Sequence, residues 1–399
     1  MESINNNNDI YDIIIENERR KWESSMINNL QPTTWETPKY SRNQIDKAGK
    51  IITNPDSSEQ DKKAALEILN NWRASHAYPL QVITNNLRRK NNDAIVVQRL
   101  KRLDSIIGKL KRNPNMNLYG MQDLGGCRVI VDSIQDVYNA IFQYKNSRIR
   151  HILKSEDDYI QEPKTSGYRS YHLIYQFQSD NNNTYNKKML IEIQFRTRLQ
   201  HIWATAVEMM GIYTKSNLKS SQGDKDILRF FTLVSSLFAI MEDMPVCPNT
   251  SDWADELISE IMQLDQNSNI IMKLKAINQA VQITEYNENF YLTSGYYLLV
   301  LDYDKPSLNI YPFKRSNFKL AVNAYNKMES EFLGRINTVL VSVKSFDTLK
   351  VAYPNYFIDI SEFLDILKTM MINYSCYNEN ARKLLESNYY ILKDRIPMG

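Results

Sequence analysis

The sequence predicts an α+β protein in which a β-sheet is flanked by helices and followed by a C-terminal helical and α+β appendage. Three observations support this class. Residues 59–89 have a helical pattern that Pro79 interrupts, a block of short segments with alternating β-branched and aromatic residues follows, and helices and strands then share the rest of the chain. The length of 399 residues favours two or three domains over one.

Four segments of the first half are predicted strands, at 127–132, 148–154, 171–178 and 188–195. Each alternates apolar and polar residues, as expected for a strand with one buried face. The polar run 180–183 predicts a turn, so the last two strands should form a hairpin. A helix is predicted from about residue 198 to 213.

A segment rich in Ser and Lys, ending in Gly223, predicts a domain boundary. We therefore divide the chain into a leader and helix-entry segment at 1–57, a domain at 58–215, a linker at 216–223 and a C-terminal domain at 224–399. The predicted elements beyond the linker are helices near 225–243 and 251–283, strands at 296–302 and 308–313 joined by a turn at 304–306, a helix at 316–332, a strand at 336–343 and a helix at 361–373.

Composition excludes several classes of protein. The net charge of +3 is too small to indicate a nucleic-acid binder by itself. Three scattered cysteines without a CxxC pair exclude a cysteine-rich zinc module and predict no disulfide framework. The polar N-terminus is unlike a signal peptide, and the longest apolar run, 230–241, is too short to span a bilayer. We therefore expect a cytoplasmic protein without membrane contact.

Positive charge is concentrated between Arg88 and Arg112, which suits the binding of phosphate groups. Two conformations fit this stretch. If residues 95–101 are extended, Arg99 and Lys101 lie on the same strand face. Alternatively, apolar residues also recur with a period near 3.6, which would make the stretch one amphipathic helix with a solvated basic face.

In the extended alternative, a helix follows the strand. Asp104 or Ser105 would then cap this helix, and Lys109 would lie one turn further on.

Two acidic residues are candidates for holding a hard cation. In the segment 190–196, Glu192, Gln194 and Arg196 share one strand face, opposite the apolar residues between them. Asp123 directly precedes a glycine-rich turn and a strand. Mg²⁺ is typically bound by one or two carboxylates together with phosphate oxygens and water. Taken alone, however, the first pattern also fits a solvated strand face, and Asp123 also fits a turn or a helix cap.

Two further features have both a functional and a structural interpretation. The loop before the third predicted strand contains Tyr168, which either stacks on a base or packs within the protein. His201 and Glu208 are seven residues apart and so share one face of the predicted helix, where a histidine is more often structural.

Four ordered motifs together resemble the synthetase domain of RelA/SpoT-type alarmone synthetases. They are RLKRLDSIIGKL (99–110), DLGGCR (123–128), DDYIQEPKTSGYRSYH (157–172) and EIQFRTRLQHIWATAVE (192–208). The resemblance covers about 90–215 and is carried by the order and spacing of all four motifs. It implies a nucleotidyltransferase-like mixed β-sheet flanked by helices, with Mg²⁺ as cofactor.

The resemblance also implies a role for each matching residue. The catalytic residues and Mg²⁺ ligands would be Asp123 and Glu192, with Glu192 also activating the acceptor 3′-hydroxyl. The ATP phosphates would be bound by Arg99, Lys101, Lys109 and Arg128. The acceptor would be bound by Lys164, Tyr168, His172, Gln194 and Arg196, with Tyr168 stacked on its base. Supporting positions would be His201 and Glu208.

The implied activity is transfer of the β,γ-pyrophosphate of ATP to a 3′-hydroxyl, with GDP or GTP as acceptor. Ser166 stands where the family commonly has asparagine before Gly167 and Tyr168, which weakens the case for guanosine. With four histidines and no His-Asp dipeptide, the sequence predicts no hydrolase domain of the kind that bifunctional members carry. The partners would be ATP and a guanosine nucleotide, and a homo-oligomer is compatible with the sequence.

Two other functions remain open. Residues 35–50 resemble a Tyr-Ser…Ala-Gly stretch of toxic small synthetases, some of which modify the 3′ CCA end of tRNA, as toxins or in phage defence. A catalytically inactive nucleotide- or RNA-binding module is the other alternative, although such a module would not need both carboxylates. The C-terminal domain, which includes the aromatic stretch 352–357, is either a packing and dimerisation module or an inhibitory and sensing domain.

Overall fold

The computed structural model describes residues 35–179, 183–214, 216, 218, 223–278, 282–283, 295–302, 307–331, 336–342, 349 and 360–387. The polar leader up to residue 34, most of the linker, the turn at 304–306 and the aromatic stretch 352–357 lie outside these ranges.

The described elements agree closely with the predicted ones. The α-helices are α1 (Arg42–Thr53), α2 (Glu59–Ser75), α3 (Ala77–Lys90), α4 (Leu103–Arg112), α5 (Ile134–Lys145), α6 (Arg198–Tyr213), α7 (Lys225–Met241), α8 (Ala254–Ser268), α9 (Ile270–Asn278), α10 (Phe318–Glu331), α11 (Ser361–Ser375) and α12 (Glu379–Ser387). The strands are β1 (Ile95–Leu100), β2 (Gly125–Val131), β3 (Ile152–Asp158), β4 (Tyr171–Gln176), β5 (Leu190–Thr197), β6 (Gln282–Ile283), β7 (Tyr296–Asp302), β8 (Ser307–Phe313) and β9 (Ile336–Ser342).

These strands form one nine-stranded sheet with the order β3-β4-β5-β2-β1-β9-β7-β8-β6. The pairs β2–β5 and β6–β8 are parallel, and the other neighbours are antiparallel. The mixed sheet flanked by helices is therefore confirmed. The predicted hairpin partners, β4 and β5, are antiparallel neighbours in this sheet.

The C-terminal strands continue the sheet that the first half of the chain begins. Strand β9 pairs with β1, with Gln98 opposite Ser342 and Arg99 opposite Val341. The sequence gives no sign of this pairing, because register between distant strands depends on the whole fold rather than on local pattern. The division of the chain into two domains stays a prediction.

Apolar residues cover the two faces of the sheet unequally. On one face, α1–α5 and α10 pack against the alternate residues of β1, β2 and β5, such as Val96, Val129 and Ile193. On the other face, α6–α9 and α11 cover Val97 and the residues of β7 and β9. The part of this second face formed by β2, β4 and β5 carries polar side chains instead, and the candidate site lies there.

The structure decides between the two conformations proposed for the basic stretch. Residues 95–100 are a strand and residues 103–112 a helix, so the extended alternative is correct. The predicted cap by Asp104 or Ser105 is wrong, because Arg102 occupies the N-cap position and its side chain makes no capping hydrogen bond. The acceptor for the first helical N–H comes from elsewhere in the chain, as described below.

Two element boundaries differ from prediction. Strand β3 covers 152–158 rather than 148–154 and includes the acidic run that ends at Asp158. As an edge strand it leaves charged side chains in solvent, so hydrophobic alternation does not mark its end. The helix predicted at 251–283 is interrupted at Asn269, whose left-handed backbone (φ 49°) ends α8.

Within the described ranges, none of the helices combines the length and the hydropathy that crossing a bilayer requires.

Candidate active site

The sheet register brings five of the predicted site residues into two adjacent rows. In the first row, Arg99 of β1 lies opposite Gly126 of β2, which lies opposite Glu192 of β5. In the second row, Arg128 lies opposite Gln194, and Gln194 lies opposite His172 of β4. Residues directly opposite each other in neighbouring strands point to the same face, so both rows project from one side of the sheet.

A cavity of about 370 Å³ lies over these rows. It is lined by eleven of the predicted site residues: Arg99, Lys101, Lys109, Asp123, Arg128, Lys164, Tyr168, His172, Glu192, Gln194 and Arg196. Asp123 and Glu192 thus border the same space, together with the cations expected to bind ATP. The roles of the individual residues stay predictions.

The two residues predicted to support the site do not line the cavity. His201 is buried, and its Nδ1 lies 3.4 Å from Nη1 of Arg128, a residue that lines the cavity. A carboxylate oxygen of Glu208 lies 4.0 Å from the guanidinium of Arg102.

Seven further residues line the cavity although the sequence analysis assigned them no role: Val97, Gln122, Gly126, Cys127, Asp157, Tyr159 and Ile174. Tyr159 is the most informative of these, because the Lys164 ammonium lies 4.1 Å from the centre of its ring. In the sequence, Tyr159 is marked as a candidate site residue only by being an aromatic residue inside the motif at 157–172.

Asp123 is held by two lysines. Its Oδ2 lies 2.8 Å from Nζ of Lys101 and 3.1 Å from Nζ of Lys109. Burial lowers the pKa of Lys101, and the Asp123 carboxylate opposes that effect. The other oxygen, Oδ1, is buried and accepts no hydrogen bond from the described residues.

These residues fit a magnesium ion. The free Asp123 Oδ1 is the kind of hard oxygen donor that Mg²⁺ prefers, and Glu192 is the second carboxylate of the cavity. Among the described residues, no group of three or more His, Cys, Asp and Glu side chains could hold a metal by itself. That is expected if nucleotide phosphates and water complete the coordination.

Glu192 is the first member of a buried chain of hydrogen bonds. Its Oε1 lies 3.2 Å from His172 Nδ1, and its Oε2 accepts a 2.7 Å hydrogen bond from Gln194. His172 Nε2 lies 2.8 Å from the hydroxyl of Tyr168, which also accepts a 2.5 Å hydrogen bond from Arg196.

This chain of contacts shifts three pKa values. Burial favours the neutral form of Glu192, but hydrogen bonding and charge from His172 outweigh it and hold the pKa of the carboxyl well below its usual range. For His172, burial opposes the charge, yet Tyr168 and Glu192 raise its pKa to about 9. For Tyr168, burial is outweighed by Arg196 and His172, which lower its pKa to about 7.

A tyrosine that ionises near neutrality can be measured directly. Above pH 7 the Tyr168 phenolate should form, and as the pH falls through about 7 it should take up a proton. A difference-absorbance titration of the folded protein should show this ionisation well below the ordinary tyrosine value of about 10. The signal should disappear in Tyr168→Phe and persist in Tyr159→Phe, because burial raises the pKa of Tyr159 instead. An unchanged titration in Tyr168→Phe would contradict the assignment.

The loop that carries Lys164 and Tyr168 is anchored on α7. Gly167 has a φ of +85°, and a Cβ there would lie 2.9 Å from Trp203 and 3.0 Å from Ser235, so only glycine fits. The Ser235 hydroxyl donates a 2.6 Å hydrogen bond to the Gly167 carbonyl and accepts a 3.1 Å hydrogen bond from Nε of buried Arg169. The loop predicted to bind the acceptor is therefore positioned by a helix beyond the predicted linker.

The floor of the cavity is open at Gly126. A Cβ added there would meet only the Glu192 carbonyl oxygen, at 4.0 Å. We therefore expect Gly126→Val to keep or slightly increase the melting temperature, since valine favours strands, while its side chain fills the space between Arg99 and Glu192. Transfer activity should fall by about tenfold or more because the bound nucleotide would be displaced.

The neighbouring glycine provides the control for that prediction. A Cβ at Gly125 would lie 2.8 Å from Cδ1 of Ile191, on the packed face of the sheet. Gly125→Ala should therefore lower the melting temperature, whereas Gly126→Ala should not. Full activity in a folded Gly126→Val protein would show that substrate does not occupy this space.

The comparisons with known proteins agree with the resemblance that the motifs carry. The model of the family described as a region found in RelA / SpoT proteins matches residues 98–218. Two similar proteins from Bacillus subtilis (strain 168) are GTP pyrophosphokinase YjbM, 35% identical over 130 residues, and GTP pyrophosphokinase YwaC, 35% identical over 125 residues. These alignments cover 31% and 30% of this chain and 58% and 57% of those proteins, so the chain spans little more than half the length of these relatives.

A solved structure with detectable similarity is that of small alarmone synthetase 1 from Bacillus subtilis bound to its product pppGpp. It has a TM-score of 0.36 and 24% sequence identity, and the alignment covers 43% of this chain and 93% of that chain.

The matched range contains every predicted residue that lines the cavity. Residues 98–218 of this chain therefore match the RelA/SpoT region, the family that its motifs predict.

Proposed function

We propose that this chain is a nucleotide pyrophosphokinase that transfers the β,γ-pyrophosphate of ATP to the 3′-hydroxyl of GDP or GTP. The observation that carries this proposal is that Asp123 and Glu192 line one cavity with Arg99 and Lys101. Phosphoryl-type transfer depends on positioning and on stabilisation of charge more than on covalent catalysis. The similarity to GTP pyrophosphokinases supports the same chemistry.

The donor side of the cavity supplies positive charge for a triphosphate. Lys101 and Lys109 both contact Oδ2 of Asp123, so two cations share one carboxylate and leave a net positive field. Among the described residues, Arg99 has no acidic partner within ion-pair distance, and it faces the same space. Such fixed cations bind the phosphate oxygens and orient the β-phosphorus for attack.

The acceptor side supplies the proton acceptor. As the acceptor 3′-oxygen bonds to the β-phosphorus, the bond from that phosphorus to the oxygen bridging the α-phosphate breaks, and AMP leaves. The hydroxyl proton passes to Glu192, whose low pKa keeps it ionised at neutral pH. His172 and Gln194 hold that carboxylate in place.

Asp123 and Glu192 would hold Mg²⁺, which when bound would neutralise negative charge on the ATP phosphates. Tyr168 and Lys164 would contact the acceptor nucleotide. The Tyr168 ring has the Arg196 guanidinium carbon 5.0 Å from its centre and the Lys164 ammonium at 5.4 Å, so it is already flanked by cations.

A labelled-acceptor assay tests the proposal. Purified protein is incubated with Mg²⁺ and ATP labelled in the γ-phosphate, and with GDP, GTP or deacylated tRNA as acceptor. Label on GDP or GTP supports the proposal. Label only on tRNA would keep the chemistry and change the acceptor, and label on none of them would leave a nucleotide- or RNA-binding module.

A further inference from the structure

A buried ion pair outside the cavity joins the C-terminal part of the chain to the donor-side cations. Arg73 of α2 donates from Nη1 to Glu329 of α10, and from Nη2 to Asn326 of the same helix. The Arg73 side chain is 1% exposed and that of Glu329 7% exposed. The ring of Tyr325 lies beneath the guanidinium, with its centre 4.6 Å away. Burial opposes the charge of Arg73, but Glu329 and Tyr325 raise its pKa.

Both members of this pair also contact the segment that connects β1 to α4. Oε1 of Glu329 accepts a 3.0 Å hydrogen bond from the backbone N–H of Leu103, the first residue of α4. Nη1 of Arg73 lies 3.4 Å from the carbonyl oxygen of Lys101. The pair therefore holds residues 101–103 from both sides.

The contact replaces the missing helix cap. The first N–H groups of a helix need acceptors, and a carboxylate there also interacts favourably with the helix dipole. Arg102 at the N-cap provides no side-chain acceptor. Glu329 supplies it from a distant part of the chain, and nearly two turns further along the helix Lys109 reaches Asp123.

We propose that Glu329 is a positioning residue for the ATP-binding cations, acting through the N-terminus of α4 to set Lys101 and Lys109 against Asp123. This inference rests on the proposed function, because it takes the donor nucleotide to bind at these lysines. It makes the C-terminal part of the chain a constituent of the donor site.

The test compares the full chain with Glu329→Gln and Glu329→Asp. Glutamine removes the charge that pairs with Arg73, and aspartate keeps the charge but cannot span both Arg73 and the Leu103 N–H. For each protein we would measure KM for ATP, KM for the acceptor, kcat, and the Kd of a non-hydrolysable ATP analogue. Both variants should raise KM for ATP and the Kd by about fivefold, the size of a typical lost cap, while KM for the acceptor stays within about twofold of wild type.

Asn326→Ala is the matched control, since Asn326 lies on the same helix and accepts from the same arginine, whereas the hydrogen bond from the Leu103 N–H goes to Glu329. It should lower the melting temperature and leave KM for ATP unchanged. If Glu329→Gln does not fold, the folded Glu329→Asp protein decides the question. An unchanged Kd in Glu329→Asp, or an equal increase in Asn326→Ala, would overturn the inference.

Label transfer tests the proposed function, and the Kd of the ATP analogue tests the role of Glu329. If the wild-type protein transfers label but the Glu329 variants bind ATP normally, only the positioning role fails. If the wild-type protein binds the ATP analogue but transfers nothing, the proposed function fails and the Kd comparison still decides the role of Glu329. If the wild-type protein does not bind the analogue, both fail.

Discussion

Glu192→Gln should reduce pyrophosphate transfer by at least about a hundredfold, the lower range for loss of a general base. Glutamine has the same shape but cannot accept the hydroxyl proton. It also removes the negative charge that pairs with His172, whose Nδ1 lies 3.2 Å from the carboxylate. The rate should be measured with saturating ATP and acceptor, so that the loss appears in kcat rather than only in KM.

The Glu192→Gln protein should still fold. Glu192 is on the polar face of β5, whereas its strand neighbours Ile191 and Ile193 are fully buried on the other face. Glutamine at position 192 leaves the packing of these two isoleucines unchanged. Glu156→Gln is the control: that carboxylate lies on β3 of the same sheet, bonds Lys145 and Tyr171, and does not line the cavity. It should leave kcat unchanged. A folded Glu192→Gln protein with normal kcat would remove Glu192 from the reaction.

Much of the candidate site follows from local sequence. The alternation in β5 places Glu192, Gln194 and Arg196 on one face, because successive strand residues point to opposite sides. The ordered motifs then bring in Asp123 and Arg99. The alternation depends on residues only a few positions apart, whereas Asp123 and Arg99 are assigned from the order and spacing of motifs that extend over residues 99–208.

Other features depend on contacts that no local pattern records. The cap on α4 comes from Glu329, and the loop at Gly167 is held by Ser235. Likewise, the low pKa of Tyr168 requires Arg196 and His172 to converge on its hydroxyl. The family resemblance implies that Tyr168 stacks on the acceptor base, which stays a prediction. The structure places its hydroxyl in the chain of hydrogen bonds that begins at Glu192, which residue spacing does not show.

The second large effect should follow from removing residues 224–399. If the C-terminal part is an inhibitory domain, a chain ending at Gly223 should be more active and more toxic in cells. The contacts described above support the opposite expectation. Truncation removes β9 from the edge of β1, Ser235 from the Gly167 loop and Glu329 from the N-terminus of α4.

The truncated chain should also lose stability. Trp203, Val207 and Met210 of α6 are buried in a cluster shared with α7, and the Trp203 Nε1 donates a 2.8 Å hydrogen bond to the Phe231 carbonyl. Exposing such side chains costs about 1.5–3 kcal/mol each, against a total stability of about 5–15 kcal/mol for a typical domain. We therefore expect residues 1–223 to show no cooperative thermal unfolding and no detectable transfer.

Co-expression of residues 224–399 as a separate chain is the control for that truncation, because a second chain can restore the sheet edge and the α6–α7 contact without the linker. Recovery of transfer on co-expression would show that the C-terminal part completes the site. If residues 1–223 instead form a soluble chain that unfolds cooperatively and transfers faster than wild type, the C-terminal part is inhibitory. In that case β1, α4 and the Gly167 loop must keep their positions without β9, Glu329 and Ser235. The two outcomes differ in sign, so activity and a melting curve on the same preparation decide between them.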